Sequence, residues 1–191
     1  IFKEKQIDRL WGKLMLRMLP VFTVDGINEK GLSIAVLQIK AKATKQTDPS
    51  KLNITTTSMV RAVLDTCKDV DEAVALIKKY NMHDSLYCCY HYQLADSTGR
   101  TVIVEYIDNV LHVYEKNSDK YDINGSVYEG DNLDLCYVTN YSITKDIGSF
   151  KIEQHGEDRT DAIKKVLAEK NGKLTESIVT ILDGRVLRLA F

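Results

Sequence analysis

The strongest constraint on how this chain can fold lies in its middle. Residues Leu86–Ala95 and Thr101–Tyr106 read as two strands joined by Asp96-Ser97-Thr98-Gly99-Arg100. Apolar runs rich in branched and aromatic residues around a short polar connection containing Gly are a hairpin signal. Val110–Tyr114 follows after a second turn at Asp108-Asn109, so the hairpin extends into an antiparallel meander. A meander has a face to bury, and the chain supplies two helices to cover it. The first opens at Thr57 or Ser58, carries Met59, Val60, Val63 and Leu64 as its apolar face and stops near Cys67. The second is capped by Asp69, with Glu72 three residues on as a capping box. Its buried stripe is Ala73, Leu76, Ile77 and Tyr80, with Lys78 and Lys79 in the last turn and Asn81 as its stop. Segregated meanders and helix pairs indicate the α+β class, with helices packed on antiparallel sheets.

Ahead of the helices, Asp25-Gly26-Ile27-Asn28-Glu29-Lys30-Gly31 is a polar turn whose glycines and asparagine tolerate positive φ. Leu32-Ser33-Ile34-Ala35-Val36-Leu37 then reads as a fully buried strand, and Gln38 is the polar side chain where it emerges. Val21–Val24 is a short strand leading into the turn. Residues Ile1–Leu19 are mixed, with helical spacing of Trp11, Leu14, Met15 and Met18, and a strand ending at Pro20 as the alternative. Lys40–Asn53 is a polar, mobile surface loop of the kind that shapes substrate access. Beyond the meander, Glu115–Leu133 is polar with a turn at Asn124-Gly125. Leu135–Thr139 is a short strand ending in Asn140. A helix opens at Asp158-Arg159 and ends at Asn171-Gly172, and two strands, Ser177–Leu182 and Val186–Phe191, close the chain.

A chain of 191 residues fits a single domain, 1–191. Its formal net charge of -1 points neither to nucleic acid nor to an anionic membrane, and no apolar run is long enough to span a bilayer. Cys67, Cys88, Cys89 and Cys136 lack zinc-ligand or redox spacing and read as reduced core residues, with Cys88 and Cys89 on opposite faces of a strand. Gly26 and Gly31 have the outer spacing of a phosphate loop, but Leu32 stands where that loop needs Lys, so nucleotide binding is rejected. His83, His91, His112 and His155 share no element and read as structural; no metal is expected. Asp96 and Glu105 could form an acid/base pair, but turn chemistry for Asp96 and burial of Glu105 against Arg or Lys is the better reading. Asn140, at a strand end, suits an oxyanion donor, and Arg159 at a helix start opposes the helix dipole unless it serves a pocket or pairs with Glu157 or Asp161.

Taken in order, Asp25-Gly26-Ile27-Asn28-Glu29-Lys30-Gly31-Leu32, Arg61-Ala62-Val63-Leu64-Asp65-Thr66-Cys67, Val70-Asp71-Glu72-Ala73, Leu94-Ala95-Asp96-x-x-Gly99, Val104-Glu105-Tyr106 and Val138-Thr139-Asn140 form a set. This set resembles the choloylglycine hydrolase family of linear amide C–N hydrolases, which includes bile salt hydrolases and penicillin V acylases. The resemblance runs from about Val24 to about Leu167. It implies an N-terminal-nucleophile hydrolase fold, an αββα sandwich of two antiparallel sheets between helix layers. It also implies a bacterial, cytoplasmic enzyme, with export left open, that uses no cofactor and acts on a small-molecule acyl amide; members of the family often associate.

In such enzymes an N-terminal Cys attacks the amide carbonyl and its own α-amine handles the proton. Carried over, Gln38 falls on an oxyanion-hole position that is commonly Asn, Asn140 on the other oxyanion donor, and Arg159 on an active-site arginine. The nucleophile has no counterpart here, because residue 1 is Ile and all four cysteines are internal. The domain is therefore expected to be incomplete, and this polypeptide alone is expected not to hydrolyse amides. Acyl transfer to an amine, or an inactive binding homologue, are the alternatives. The acyl group, whether a bile acid, phenoxyacetyl or fatty chain, is not legible.

Overall fold

The alternation between apolar runs and turn chemistry produces the expected meander, extended at both ends. In the computed structural model the residues described are 23–85, 88–115, 120–123, 125–129, 138–140 and 142–144, with helical residues at 162, 165, 168 and 169. The strands are β1 (Asp25–Ile27), β2 (Ser33–Ile39), β3 (Leu52–Thr55), β4 (Tyr80–His83), β5 (Cys89–Ala95), β6 (Thr101–Ile107), β7 (Val110–Glu115), β8 (Lys120–Ile123) and β9 (Ser126–Glu129). Between β3 and β4 lie helices α1 (Thr56–Thr66) and α2 (Val70–Lys78). Seven strands form one sheet in the order β1-β2-β5-β6-β7-β8-β9, every neighbouring pair antiparallel. β3 and β4 pair in parallel as a separate ribbon. The α+β class stands.

One face of the large sheet carries the helices. Met59, Val60 and Val63 of α1 and Val70, Ala73 and Ile77 of α2 form one buried cluster with Ile34, Tyr92, Leu94, Val102, Val104 and Tyr106. On the opposite face Ile103 and Tyr114 pack with Val138, Leu37 and Ile143. Cover on both faces explains why every residue of β6 is buried and why its sequence, Glu105 apart, is largely apolar rather than alternating. β2 departs from the expectation of full burial: Val36 and Leu37 are half-buried and Gln38 is exposed. The strand also runs on to Ile39.

The turns are more specific than their composition suggested. Asp25–Ile27 is strand, not turn, and pairs with Ser33–Ala35. Asn28 does not need a positive φ; Gly31 does, at +82°, with Ser97 so close that an added Cβ would lie 3.0 Å from the Ser97 Cβ. Asp108 and Asn109 both adopt positive φ, 49° and 67°, as a two-residue hairpin of the primed type requires. Asn109 also anchors the 40–51 connection, accepting from the Lys45 backbone N–H at 2.6 Å. That connection is tied further by Asp84, which accepts from the Thr44 N–H, and by Asn81, which donates to the Asp48 carbonyl. The expected mobile loop is thus a pinned one, ending in β3. Asn81 is not a helix stop: α2 ends at Lys78, and Tyr80–His83 is a strand that propensity did not reveal. The 115–133 region contains the β8–β9 hairpin.

At the helix ends, the cap of α1 is Thr55 rather than Thr57 or Ser58, and its hydroxyl reaches the Ser58 Oγ instead of a backbone N–H. The cap of α2 is Asp69, as expected, accepting from the Glu72 N–H at 3.0 Å, while Glu72 accepts in return from the Lys68 N–H. Replacing Asp69 by Ala is expected to cost about 1 kcal/mol, read as a lower urea midpoint at unchanged slope; an unmoved midpoint would refute the cap's contribution. The expected N-terminal elements, Cys136, and the two C-terminal strands lie outside the described residues. Ala162 and Lys165 are helical, in keeping with a helix over that stretch.

Candidate active site

In an antiparallel ladder the backbone hydrogen-bonding groups of successive residues point to alternate edges of the strand. The Val36 N–H donates to the Val24 carbonyl at 2.9 Å, so Val36 faces the β1 edge of β2. Gln38, two residues on, aims its own N–H and C=O at that same edge, past the described extent of β1. Its side chain is exposed.

Asn140 meets that edge. Its side-chain Nδ2 donates to the Gln38 carbonyl at 2.8 Å, joining residues 102 apart in the chain. Two of the three residues singled out from the sequence are therefore neighbours. Arg159, the third, lies outside the described residues. The segment bearing Asn140 is not a strand as described: Val138 and Thr139 are buried but irregular. Just beyond Asn140, side chains rather than a strand ladder hold the backbone.

Those side chains centre on Glu105, which is fully buried in the middle of the sheet. Its Oε1 accepts from the Ile143 N–H at 2.7 Å and lies 3.0 Å from His91 Nδ1. Its Oε2 accepts from the Thr144 N–H at 2.9 Å and the Ser142 hydroxyl at 2.7 Å. Burial pushes this carboxyl up, but the His91 hydrogen bond and charge and the two backbone N–H groups outweigh it, and the net direction is down. Glu105 is thus held as an anion by donors, not by the Arg or Lys that its sequence context suggested. His91, Glu105 and His112 stand opposite one another on three successive strands. Tyr114 on the same face lies 2.7 Å from the Thr144 Oγ1.

Asp96 sits elsewhere and does turn chemistry. It accepts from the Thr98 N–H and hydroxyl, and its other oxygen accepts from the Val70 N–H at the start of α2. The acid/base pairing of Asp96 with Glu105 has no support in these surroundings. Cys89 is buried, its Sγ donating to the Tyr106 carbonyl, and burial pushes its thiol up to about 12. Cys67 is also pushed up by burial. Neither has the thiolate character of a nucleophile. Cys88 precedes β5 rather than alternating with Cys89 along it. Among the described residues no group of three or more His, Cys, Asp or Glu could hold a metal ion, and no helix is long and apolar enough to cross a membrane.

The sequence flagged Gln38 and Asn140 but not the residues that fasten them. One signal was available: a lone carboxylate within the apolar run Val102-Ile103-Val104-Glu105-Tyr106-Ile107 has to be buried with donors around it. Which donors, nothing local could say.

A model of the linear amide C–N hydrolases of the choloylglycine hydrolase family matches residues 10–153. The chain belongs to the choloylglycine hydrolase family. The matched stretch includes Gln38 and Asn140 and stops short of Arg159. Penicillin V acylase from Pectobacterium atrosepticum is 35% identical over 107 residues, which cover 50% of this chain and 28% of that protein. Of solved structures, a variant of conjugated bile acid hydrolase from Clostridium perfringens is 28% identical, covering 50% of this chain and 32% of that one, at a TM-score of 0.45. Penicillin V acylase from Agrobacterium tumefaciens is 22% identical, covering 88% and 44%, at a TM-score of 0.46. The chain thus spans about a quarter to under half of the length of these relatives. Family membership carries the N-terminal-nucleophile hydrolase fold, and the α+β arrangement accords with it.

Proposed function

We propose that this chain forms the oxyanion-binding part of an enzyme that hydrolyses a linear amide between an acyl group and a small amine. The observation that carries this reading is the contact of Asn140 Nδ2 with the Gln38 carbonyl at the β1-side edge of β2. It sets a side-chain amide beside a backbone N–H aimed at the same edge. Two N–H donors side by side at one edge are what a tetrahedral intermediate needs when its carbonyl oxygen takes on negative charge. A side-chain amide has two hydrogens, so Asn140 can keep its bond to Gln38 and still offer one to the oxyanion. Gln in place of Asn at position 38 leaves the backbone donor intact and changes only the side chain beside the reacting carbonyl.

The attacking group in this reading is the thiolate of an N-terminal Cys. Its α-amine, with a pKa near 8, takes the thiol proton and delivers it to the departing amine. A thioester to the acyl group results, and water, deprotonated by the same amine, releases the acid and restores the thiol. Cys67, Cys88, Cys89 and Cys136 stand within the sequence, where the nitrogen is a peptide amide and not a base. Arg159 serves in this proposal as a cation facing the substrate.

The test uses the protein as isolated from its source, assayed with penicillin V and with a conjugated bile acid. Release of the free acid from at least one is expected, and N-terminal sequencing of the same sample is expected to give Cys. An N-terminus other than Cys overturns the mechanism. Saturable binding without turnover overturns the hydrolase reading in favour of a binding protein, and acyl capture by added amine in preference to water makes it a transferase.

A further inference from the structure

We propose that Glu105, held by His91, is the positioning residue that fixes Asn140 in register with Gln38. The inference rests on the oxyanion reading above and extends it to a residue that does not touch the substrate. Asn140 sits on an irregular segment, and irregular backbone has no ladder to set its position. The described residues beyond it are fastened at three consecutive positions, Ser142, Ile143 and Thr144, all to one carboxylate. That carboxylate is rooted in the middle of a fully buried strand, so it cannot drift. β6 is one strand removed from β2, and the intervening β5 carries His91, which pairs with both Leu37 and Glu105. A continuous path thus runs from the residue before Gln38, across His91 and Glu105, to the segment that begins two residues after Asn140. Both ends of the Gln38–Asn140 contact are referenced to the same sheet row.

The chemistry demands an ionised carboxylate. Each oxygen accepts one backbone N–H, Ile143 on Oε1 and Thr144 on Oε2. A Gln side chain has the same shape but only one acceptor oxygen. Whichever way it is turned, its NH2 faces a buried N–H donor, and one of the two anchors is lost and repelled. Glu105→Gln is therefore a steric match and an electrostatic mismatch. Ser142→Ala removes the hydroxyl donor alone and leaves both backbone anchors in place.

Steady-state kinetics of the complete enzyme on whichever acyl amide it turns over, with Asn140→Ala as reference, decide the matter. Glu105→Gln is expected to lower kcat by roughly 10- to 100-fold, as a misplacement of about 1 Å can, with KM changed by less than about twofold. The discriminating readout is the pair of double variants. If Glu105 acts through Asn140, Glu105→Gln adds nothing to Asn140→Ala, and Ser142→Ala, costing a few-fold alone, also adds nothing. Independent, multiplying losses in both doubles overturn the proposal, because a merely structural carboxylate would weaken either background equally. If Glu105→Gln does not fold, the Ser142→Ala cycle decides by the same criterion. Should Asn140→Ala itself leave kcat intact, the oxyanion reading fails and the positioning role fails with it. If Asn140→Ala is crippled while Glu105→Gln and Ser142→Ala retain full activity, only the positioning role fails.

Discussion

Under the proposed amide hydrolysis, replacing Asn140 by Ala is expected to lower kcat by roughly 10²–10³-fold, the usual cost of one oxyanion donor, with little change in KM. The reason is differential. A ground-state carbonyl oxygen carries a small partial charge, whereas the tetrahedral oxyanion carries close to a full one, so the side-chain N–H contributes mainly in the transition state. The fold should tolerate the change, since Asn140 is only half-buried and its one described bond is to the Gln38 carbonyl at the strand edge. Gln38→Asn is the matched control. It alters an exposed side chain and leaves the backbone N–H in place, so kcat should stay within a few-fold of the parent. Steady-state kinetics on both variants check the pair, with thermal melts to confirm folding. An Asn140→Ala enzyme with parental kcat would remove this residue from the site, and a collapse in Gln38→Asn would shift the donor role from the backbone to the side chain.

Asn28 is where a single side chain should cost most in stability. Its Oδ1 accepts from the Lys30 and Leu32 N–H groups, closing the β1–β2 turn. Its Nδ2 donates to the Leu64 and Cys67 carbonyls at 3.1 and 2.7 Å. Those carbonyls lie in the last turn of α1 and on its C-cap residue, where a helix has no partners of its own to offer. One amide thus closes a hairpin and caps a helix across the core. Asn28→Ala loses all four bonds and is expected to destabilise by about 3 kcal/mol, given 0.5–1.5 for each net bond and partial rehydration of exposed groups. Asn28→Asp separates the two halves. It keeps the acceptor for the turn but turns the donor into an anion against two carbonyl oxygens, and should cost about as much as Ala or more. Urea unfolding of the three proteins measures this directly. If Asp is tolerated while Ala is not, the turn alone matters and the helix cap contributes nothing.

The site was partly legible in the sequence, and unevenly so. Ordered motifs singled out Gln38 and Asn140 as candidates, through the glycine turn with its apolar strand and through Val138-Thr139-Asn140, and the fold brings the two into contact. The same reading placed Asn28 in a turn but could not see its reach to α1, since that contact spans 36 and 39 residues. It allotted Glu105 a cationic partner where the sheet supplies His91 and the 142–144 segment supplies two backbone N–H groups. Tyr80–His83 was missed as a strand because its pairing with Leu52–Thr55 is parallel and its sequence ran on from an amphipathic helix.

What the sequence by itself determined is therefore local. It set the meander and its turns, the two helices with the Asp69 cap, and the family to which the chain belongs. Each follows from interactions within a few residues or from an ordered set of motifs. Tertiary structure alone decided which edge of β2 the Gln38 backbone addresses, that Asn140 lies against Gln38 across 102 residues, and that one buried carboxylate grips the segment beside it. These depend on strand order and register, which place distant residues in one row of a sheet. A shift of one residue along any strand would turn that row to the opposite face, and no local pattern records it.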